Sequence, residues 1–128
     1  KSISWEVADL TDWVAHGDFD LVTAIFLHSK SELKRNQILK NALGALAPGG
    51  ALLIVGHAEF PPWGKAKQHG DEHDHEPLPT NAEVIAKLDL TSSFAVELNE
   101  NRTRIATGPE GQTGELTDGI VLIRRVGN

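Results

Sequence analysis

Cysteine and methionine are both absent from this chain of 128 residues, and aromatic side chains make up only 5% of it. Without cysteine, disulfides, thiolate zinc sites and cysteine nucleophiles are excluded. Without methionine, and with Lys1 as its first residue, the chain carries no initiator residue of its own. We therefore expect either a processed start or a piece of a longer protein.

Basic side chains and long apolar runs are also scarce. Twelve Lys and Arg against eighteen Asp and Glu give a net charge of -6, which disfavours a nucleic-acid partner. The longest apolar stretches, residues 21–27 and 51–55, are far shorter than the roughly 20 residues of a membrane-spanning helix. The N-terminus lacks the apolar core of a secretory signal. We therefore predict one globular domain in the cytoplasm, with no membrane partner.

The first half of the chain predicts a strand–helix–strand unit. Residues 2–8 alternate apolar and polar side chains, which indicates a short strand. Residues 19–28 and 50–57 are apolar on both faces, as in parallel strands covered on both sides. Between them we expect a helix that begins with a capping box of Ser29 and Glu32 and ends at Pro48. The apolar face of this helix comprises Ile38, Leu39, Ala42, Leu43 and Leu46.

The second half predicts a loop, a short helix and two strands. Residues 59–79 are rich in proline, histidine and acidic side chains, which is typical of a long surface loop or lid. Thr80 and Glu83 form a second capping box. Residues 94–98 and 119–126 are predicted strands, and the segment between them extends the first strand before a glycine-rich connection.

In this order, the motifs WEVADLTDW, FDLVTAIFLH and ALGALAPGGALLIVGH resemble the second half of a class I S-adenosylmethionine-dependent methyltransferase. The resemblance covers essentially the whole chain. It implies an α/β fold with part of a Rossmann-like sheet, namely strands 3–7 of the seven-stranded order 3-2-1-4-5-7-6, with the last strand antiparallel. Residues 1–128 are then the C-terminal part of one methyltransferase domain.

The resemblance also implies S-adenosyl-L-methionine as the cofactor. Asp9 matches the family's aspartate after strand 3, which accepts a hydrogen bond from the adenine amino group, and the N–H of Leu10 would face the adenine ring. Ile25 and Phe26 match the end of strand 4, which lines the methionine side. The alternative for Asp9 is that it only caps the polar turn that follows.

Two histidines follow the same two family strands. The resemblance places His28 on the acceptor side as a catalytic general base, and His57 beside it as a substrate-side residue. A histidine of ordinary pKa can remove a proton from a hydroxyl or amine acceptor near neutral pH. The alternative for His28 is a packing contact with Leu33 next to the start of the helix.

Two elements of the family pattern are missing: the glycine-rich loop after strand 1 and the acidic residue after strand 2. We therefore expect no methyl transfer by this chain alone. We also expect the open edge of family strand 4 to form homo-oligomers, or residues 2–8 to repack beside it.

The loop carries His69, His73 and His75 among acidic neighbours, but it has no strong zinc signature, and no metal site is predicted. The function that the resemblance implies is methyl transfer to a small-molecule acceptor. Two alternatives stay open: a non-catalytic α/β fragment that acts as an oligomerisation or interaction module, and another nucleotide-binding Rossmann-like protein such as a dehydrogenase.

Overall fold

The computed structural model describes residues 2–15, 17–27, 34–59, 63 and 78–127. Four strands form one mixed sheet in the order β1-β2-β4-β3. β1 and β2 are parallel, whereas β4 is antiparallel to both β2 and β3. This order is the 4-5-7-6 part of the expected sheet with its antiparallel last strand. The strands are Phe19–Ile25 (β1), Leu46–His57 (β2), Phe94–Thr107 (β3) and Thr113–Arg125 (β4).

Helix α1, Arg35–Gly44, connects the two parallel strands. Its buried side chains are Ile38, Leu39, Ala42 and Leu43, four of the five residues of the predicted face, whereas the fifth, Leu46, is the first residue of β2. Lys34 is the N-cap residue and makes no side-chain capping bond. The predicted capping box of Ser29 and Glu32 lies outside the described residues.

The prediction that Pro48 ends this helix is wrong. α1 ends at Gly44, and β2 begins at Leu46, because the Ala45 carbonyl already accepts a hydrogen bond from Phe19 N–H (3.1 Å). Pro48 falls where the β1–β2 register shifts, a place where a strand tolerates a residue without an N–H. Gly49 supports this irregularity with a φ of +84°, which a residue with a Cβ rarely adopts.

β3 and β4 form a hairpin that is much longer than the two predicted strands. Their pairing continues to Thr107 and Thr113, so most of the intervening segment belongs to the ladder. The turn closes with a hydrogen bond from Gly108 N–H to the Gln112 carbonyl (2.6 Å). The prediction that this segment extends the first strand is confirmed.

The core lies on one face of the sheet. Leu52 and Ile54 of β2 are paired with Ile123 and Val121 of β4, so all four side chains point to the same side. The helices contribute Leu39, Leu43 and Leu88 to this cluster. The alternate residues Leu53, Val55, Ile120 and Leu122 face the other side, are only half-buried, and do not belong to the core cluster.

The predicted strand at residues 2–8 is not formed, and this segment has no regular secondary structure. Ile3, Trp5 and Val7 are 78%, 90% and 104% exposed. Among the described residues, β1 pairs only with β2, so the segment has not repacked beside β1. An alternating pattern becomes a strand only where a neighbouring strand satisfies its backbone, and no described strand does so here.

Helix α2, Asn81–Lys87, begins at the predicted capping box. The Thr80 hydroxyl accepts a hydrogen bond from Glu83 N–H (3.1 Å), and Thr80 N–H donates to Glu83 Oε1 (3.3 Å). Leu88 follows the helix and is buried, whereas Val84 and Ile85 are half-buried against the core. Within the described part of the chain, no helix is both long and apolar enough to cross a bilayer.

Replacing Thr80 with alanine removes the hydroxyl half of this capping box. We expect Thr80→Ala to lower the free energy of unfolding by about 1 kcal/mol, the usual loss for an N-cap hydroxyl. Urea denaturation followed by circular dichroism measures the change. Ser92→Ala, at an exposed turn residue, is the control and should stay within about 0.5 kcal/mol of the parent. Equal stability of the two variants would contradict the capping role.

Candidate functional site

The carboxyl ends of the two parallel strands meet at one end of the sheet, where ligands bind in open α/β sheets. β1 ends at Ile25, opposite Val55, and β2 ends two residues later at His57. A cavity of about 40 Å³ lies here, well below the roughly 300–1,000 Å³ of ligand pockets. Its lining includes Leu27, Arg35, Leu39, His57, Asn81 and Gly119.

Two aromatic side chains, Phe26 and His57, contact each other at this end of the sheet. The rings of Phe26 and His57 are stacked, with centroids 4.5 Å apart and planes 20° from parallel. Phe26 has a φ of +53°, a left-handed conformation that costs a residue with a Cβ about 1–2 kcal/mol. Its N–H donates to the Val55 carbonyl (2.7 Å), which holds the backbone of Phe26 at the strand end.

His57 also faces a buried carboxylate. It lies directly opposite Asp118 in the antiparallel β2–β4 ladder, and such partners project from the same face of a sheet. His57 Nδ1 and Asp118 Oδ1 are 3.5 Å apart, and both atoms are buried. The other carboxylate oxygen, Oδ2, accepts a hydrogen bond from Arg104 Nε at 2.7 Å. Arg104, Asp118 and His57 therefore form a row that runs across three strands.

This row explains why a carboxylate is tolerated at an 8% exposed position. Burial of an unpaired charge is strongly unfavourable, whereas a cationic hydrogen-bond donor offsets part of that cost. Arg104 supplies the charge to one oxygen of Asp118, and the imidazole of His57 faces the other. The carboxylate is held by a hydrogen bond at Oδ2, and its buried Oδ1 faces the imidazole at 3.5 Å without a hydrogen bond between them.

A second ion pair stabilises the opposite end of the sheet. Arg124 Nε donates to Glu97 (2.6 Å), and its Nη1 donates to the Gly49 carbonyl in the irregular start of β2 (2.7 Å). The hydrogen bond to Glu97, together with the attraction of its charge, raises the pKa of Arg124. Arg125 Nη1 donates to the Leu46 carbonyl (2.6 Å). Both arginines thus donate hydrogen bonds to backbone carbonyls at the start of β2, and neither lines the cavity.

The structure brings together some of the predicted site residues. Ile25, Phe26 and His57 lie at the same end of the sheet, as the resemblance implies, and Phe26 touches His57. His28 lies outside the described residues. The assignments of these residues to cofactor and substrate stay predictions.

Asp9 and Leu10 are not part of this group. Asp9 Oδ1 accepts a hydrogen bond from Thr11 N–H (3.0 Å), which is the turn-capping geometry of the alternative interpretation. The Thr11 carbonyl accepts from Asn41 of α1 (3.3 Å), and Asn41 lies about 9 Å along the helix from Arg35, which lines the cavity. The predicted adenine contacts and the predicted methionine contacts therefore do not meet around one pocket.

The described residues do not fit S-adenosylmethionine as a complete site. The cavity holds only about 40 Å³, and neither Asp9 nor Leu10 lines it. Asp9 does not follow a strand here, because residues 2–8 form none.

Asp118 and Arg104 were missed by the sequence analysis. Asp118 lies one residue before a predicted strand, and Arg104 lies in the segment that was predicted to extend the preceding strand, but neither residue was assigned to a site. Two registers locate them: the β2–β4 pairing places Asp118 opposite His57, and the β3–β4 hairpin places Arg104 opposite Leu116, diagonally across from Asp118. The hairpin register depends on the position of the turn at residues 108–112, and amino-acid composition does not locate that turn.

The long loop is described at one internal residue, Trp63. A Cβ on Gly108, in the hairpin turn, would lie 2.7 Å from the Trp63 ring, so the indole packs directly on this turn. His69, His73 and His75 lie outside the described residues. In the part of the chain that the structure describes, no group of three histidine or acidic side chains is placed to hold a metal ion.

Comparisons with known proteins show the fold. No family model and no curated protein matches the chain. A SAM-dependent methyltransferase from Methanosarcina mazei matches with a TM-score of 0.62 and 14% identity over 96% of this chain and 67% of that one. The chain thus has a mixed α/β sheet of four strands that is consistent with part of a Rossmann-like sheet, which confirms the predicted fold class for all but the strand at residues 2–8.

Two further structures share this architecture. One comes from work on the conversion of a disulfide bond into a thioacetal group during echinomycin biosynthesis (TM-score 0.60, 20% identity, 94% of this chain and 54% of that one). The other is the YcgJ protein from Bacillus subtilis (TM-score 0.55, 12% identity, 94% of this chain and 70% of that one). The chain spans between about half and two thirds of the length of these structures.

Gly119 is required where α2 meets the sheet. A Cβ at Gly119 would overlap the side-chain oxygen of Asn81, whose Nδ2 donates to the Glu100 carbonyl (3.0 Å). We expect Gly119→Ala to displace Asn81 and to lower the free energy of unfolding by about 1–3 kcal/mol, the usual cost of overpacking. Thermal or urea unfolding measures this. Gly44→Ala, where a Cβ meets no atom within 4 Å, is the control and should not be destabilised.

Proposed function

We propose that this chain supplies the C-terminal part of a SAM-dependent methyltransferase domain that acts on a small-molecule acceptor. The observation that carries the proposal is the sheet order β1-β2-β4-β3 with an antiparallel β4, in a fold similar to that of a SAM-dependent methyltransferase of known structure (TM-score 0.62). In this proposal the chain alone does not transfer methyl groups, because its described residues do not enclose the cofactor. The cytoplasmic location stays a prediction.

The outer edge of β1 supports the idea that more chain completes the sheet. Leu21 and Ile25 are 58% and 55% exposed, and β1 has no second partner strand among the described residues. An apolar open edge of this kind favours pairing with another strand. The half-buried sheet face opposite α1 and α2 likewise offers apolar area to further elements.

Within such a domain, Ile25 and Phe26 would lie on the methionine side of the cofactor, and His57 would lie beside them on the acceptor side. The stacked rings of Phe26 and His57 make a flat apolar wall at the carboxyl ends of β1 and β2. A wall of this kind orients a bound molecule and excludes water, and orientation is the main requirement of a direct group transfer. Ile25 borders this wall, and His28 follows it in the sequence.

Binding of S-adenosylhomocysteine tests the proposal. Isothermal titration calorimetry on this chain should show no binding, whereas a version extended at its N-terminus by its upstream coding sequence should bind. Phe26→Ala in the extended version should weaken binding about tenfold or more, since stacking and apolar contacts are lost. Phe19→Ala, at the other end of β1, is the matched control. Absence of binding by the extended version would overturn the proposal.

A second candidate function is supported by the same open edge of β1. The non-catalytic alternative is a module that associates with a second copy through antiparallel β1–β1 pairing. A register centred on Val22 would place each Asp20 opposite Ala24, so that the two carboxylates are not direct partners. Such a dimer would extend one four-stranded sheet into a continuous eight-stranded one.

The N–H of Thr23 allows this pairing to be tested. Phe26 N–H points to β2, so by strand alternation the N–H groups of Val22 and Ala24 also point there, while that of Thr23 points to the open edge. Thr23→Pro should therefore block edge pairing and leave the β1–β2 ladder intact. Size-exclusion chromatography with light scattering should show a dimer for the parent and for Thr23→Ala, and a monomer for Thr23→Pro. A monomeric parent at high concentration would overturn this candidate.

A further inference from the structure

The proposed function assigns no role to Asp118, the buried carboxylate in the row of Arg104, Asp118 and His57. We propose that Asp118 is a positioning residue, which holds the neutral imidazole of His57 with its proton on Nδ1 and so makes Nε2 the basic nitrogen. This inference rests on the proposed function and narrows its substrate class. The acceptor is a molecule whose hydroxyl or amine group gives up a proton.

The geometry favours orientation of the ring by three contacts. Asp118 Oδ1 faces Nδ1 at 3.5 Å, a separation that a small side-chain rotation closes to a hydrogen bond. Arg104 holds Oδ2 at 2.7 Å and so fixes the carboxylate. Phe26 stacks on the ring face and restricts its rotation about the Cβ–Cγ bond. With Nδ1 directed at Asp118, Nε2 lies on the opposite side of the ring.

The proton transfer that this arrangement allows is simple. Nε2 takes the proton of a hydroxyl or amine, the O–H or N–H bond breaks, and its electron pair stays on the acceptor atom. The imidazole becomes a cation whose charge is stabilised by the carboxylate of Asp118 on its other side. An acceptor without such a proton would gain nothing from this arrangement.

The alternative role for Asp118 is a purely structural one, in which its ion pair with Arg104 only stabilises the hairpin. Arg104 and Asp118 lie on neighbouring strands, and a purely structural pair between them would need nothing from His57. The side-chain accessibility of Asp118 is only 11%, and its Oδ1 is directed toward the imidazole and away from solvent. The tautomer of His57 therefore separates the two roles, because a hairpin ion pair does not require a particular one.

Nitrogen-15 NMR of the side chain measures that tautomer on this chain directly. Spectra are recorded at a pH above which the His57 signals no longer move, and long-range proton–nitrogen correlations then show which nitrogen carries the proton. The chain has six histidines, so the variant His57→Gln identifies the signal of His57. We expect the Nδ1–H form in the parent. Asp118→Asn should convert it largely to the Nε2–H form, since the new amide can donate to Nδ1.

Asp89→Asn is the matched control. Asp89 also pairs with a basic residue, Lys40, at 3.7 Å, but it is exposed and has no recorded contact with His57. This variant should leave the tautomer unchanged. An Nε2–H form in the parent would overturn the proposal, and this result does not depend on whether Asp118→Asn folds. An unchanged tautomer in a folded Asp118→Asn variant would overturn it as well.

Kinetics in the N-terminally extended version separate this inference from the proposed function. Asp118→Asn should lower kcat by about 100-fold with a hydroxyl or amine acceptor, the usual size of a general-base contribution. Affinity for S-adenosylhomocysteine should change by less than twofold. Loss of that affinity would assign Asp118 a structural role and overturn the inference, whereas absence of binding in the unmutated extended version is the failure of the proposed function.

Discussion

The antiparallel pairing of β2 with β4 is the constraint on which the rest of this structure depends. It joins the parallel β1–β2 unit to the β3–β4 hairpin, and its register decides which residues share a face. Leu52 opposite Ile123 builds the core, Gly56 opposite Gly119 leaves room for Asn81 of α2, and His57 opposite Asp118 builds the candidate site. A shift of one residue would send each of these side chains to the wrong face.

The two faces of the sheet differ in what covers them. One face carries α1 and α2 and contains the buried cluster around Leu39 and Leu52. The other carries half-buried apolar residues such as Leu53 and Ile120, and at its carboxyl end the polar row of Arg104, Asp118 and His57. Among the described residues, this face is incompletely buried and the outer edge of β1 has no partner strand. The same features favour self-association when nothing else covers them.

Much of the topology could be predicted because the signals are local and agree with one another. Apolar runs at residues 19–28 and 50–57 indicate buried parallel strands, and the capping box at Thr80 marks the start of a helix wherever the chain folds. The candidate site was less accessible to prediction. Phe26 and His57 follow strands that the sequence reveals, whereas Asp118 and Arg104 depend on a hairpin register set by the turn at residues 108–112.

Local patterns were enough to predict the strand–helix–strand unit, the last two strands and the apolar face of α1, because hydrophobic periodicity acts within a few residues. Tertiary structure decided the rest. Within the described ranges it gave Trp5 and its neighbours no partner strand, paired the Asp9 carboxylate with Thr11 N–H, and placed Asp118 beside His57. These outcomes depend on which backbone edges and buried charges find partners far along the chain, and a local pattern does not specify such partners.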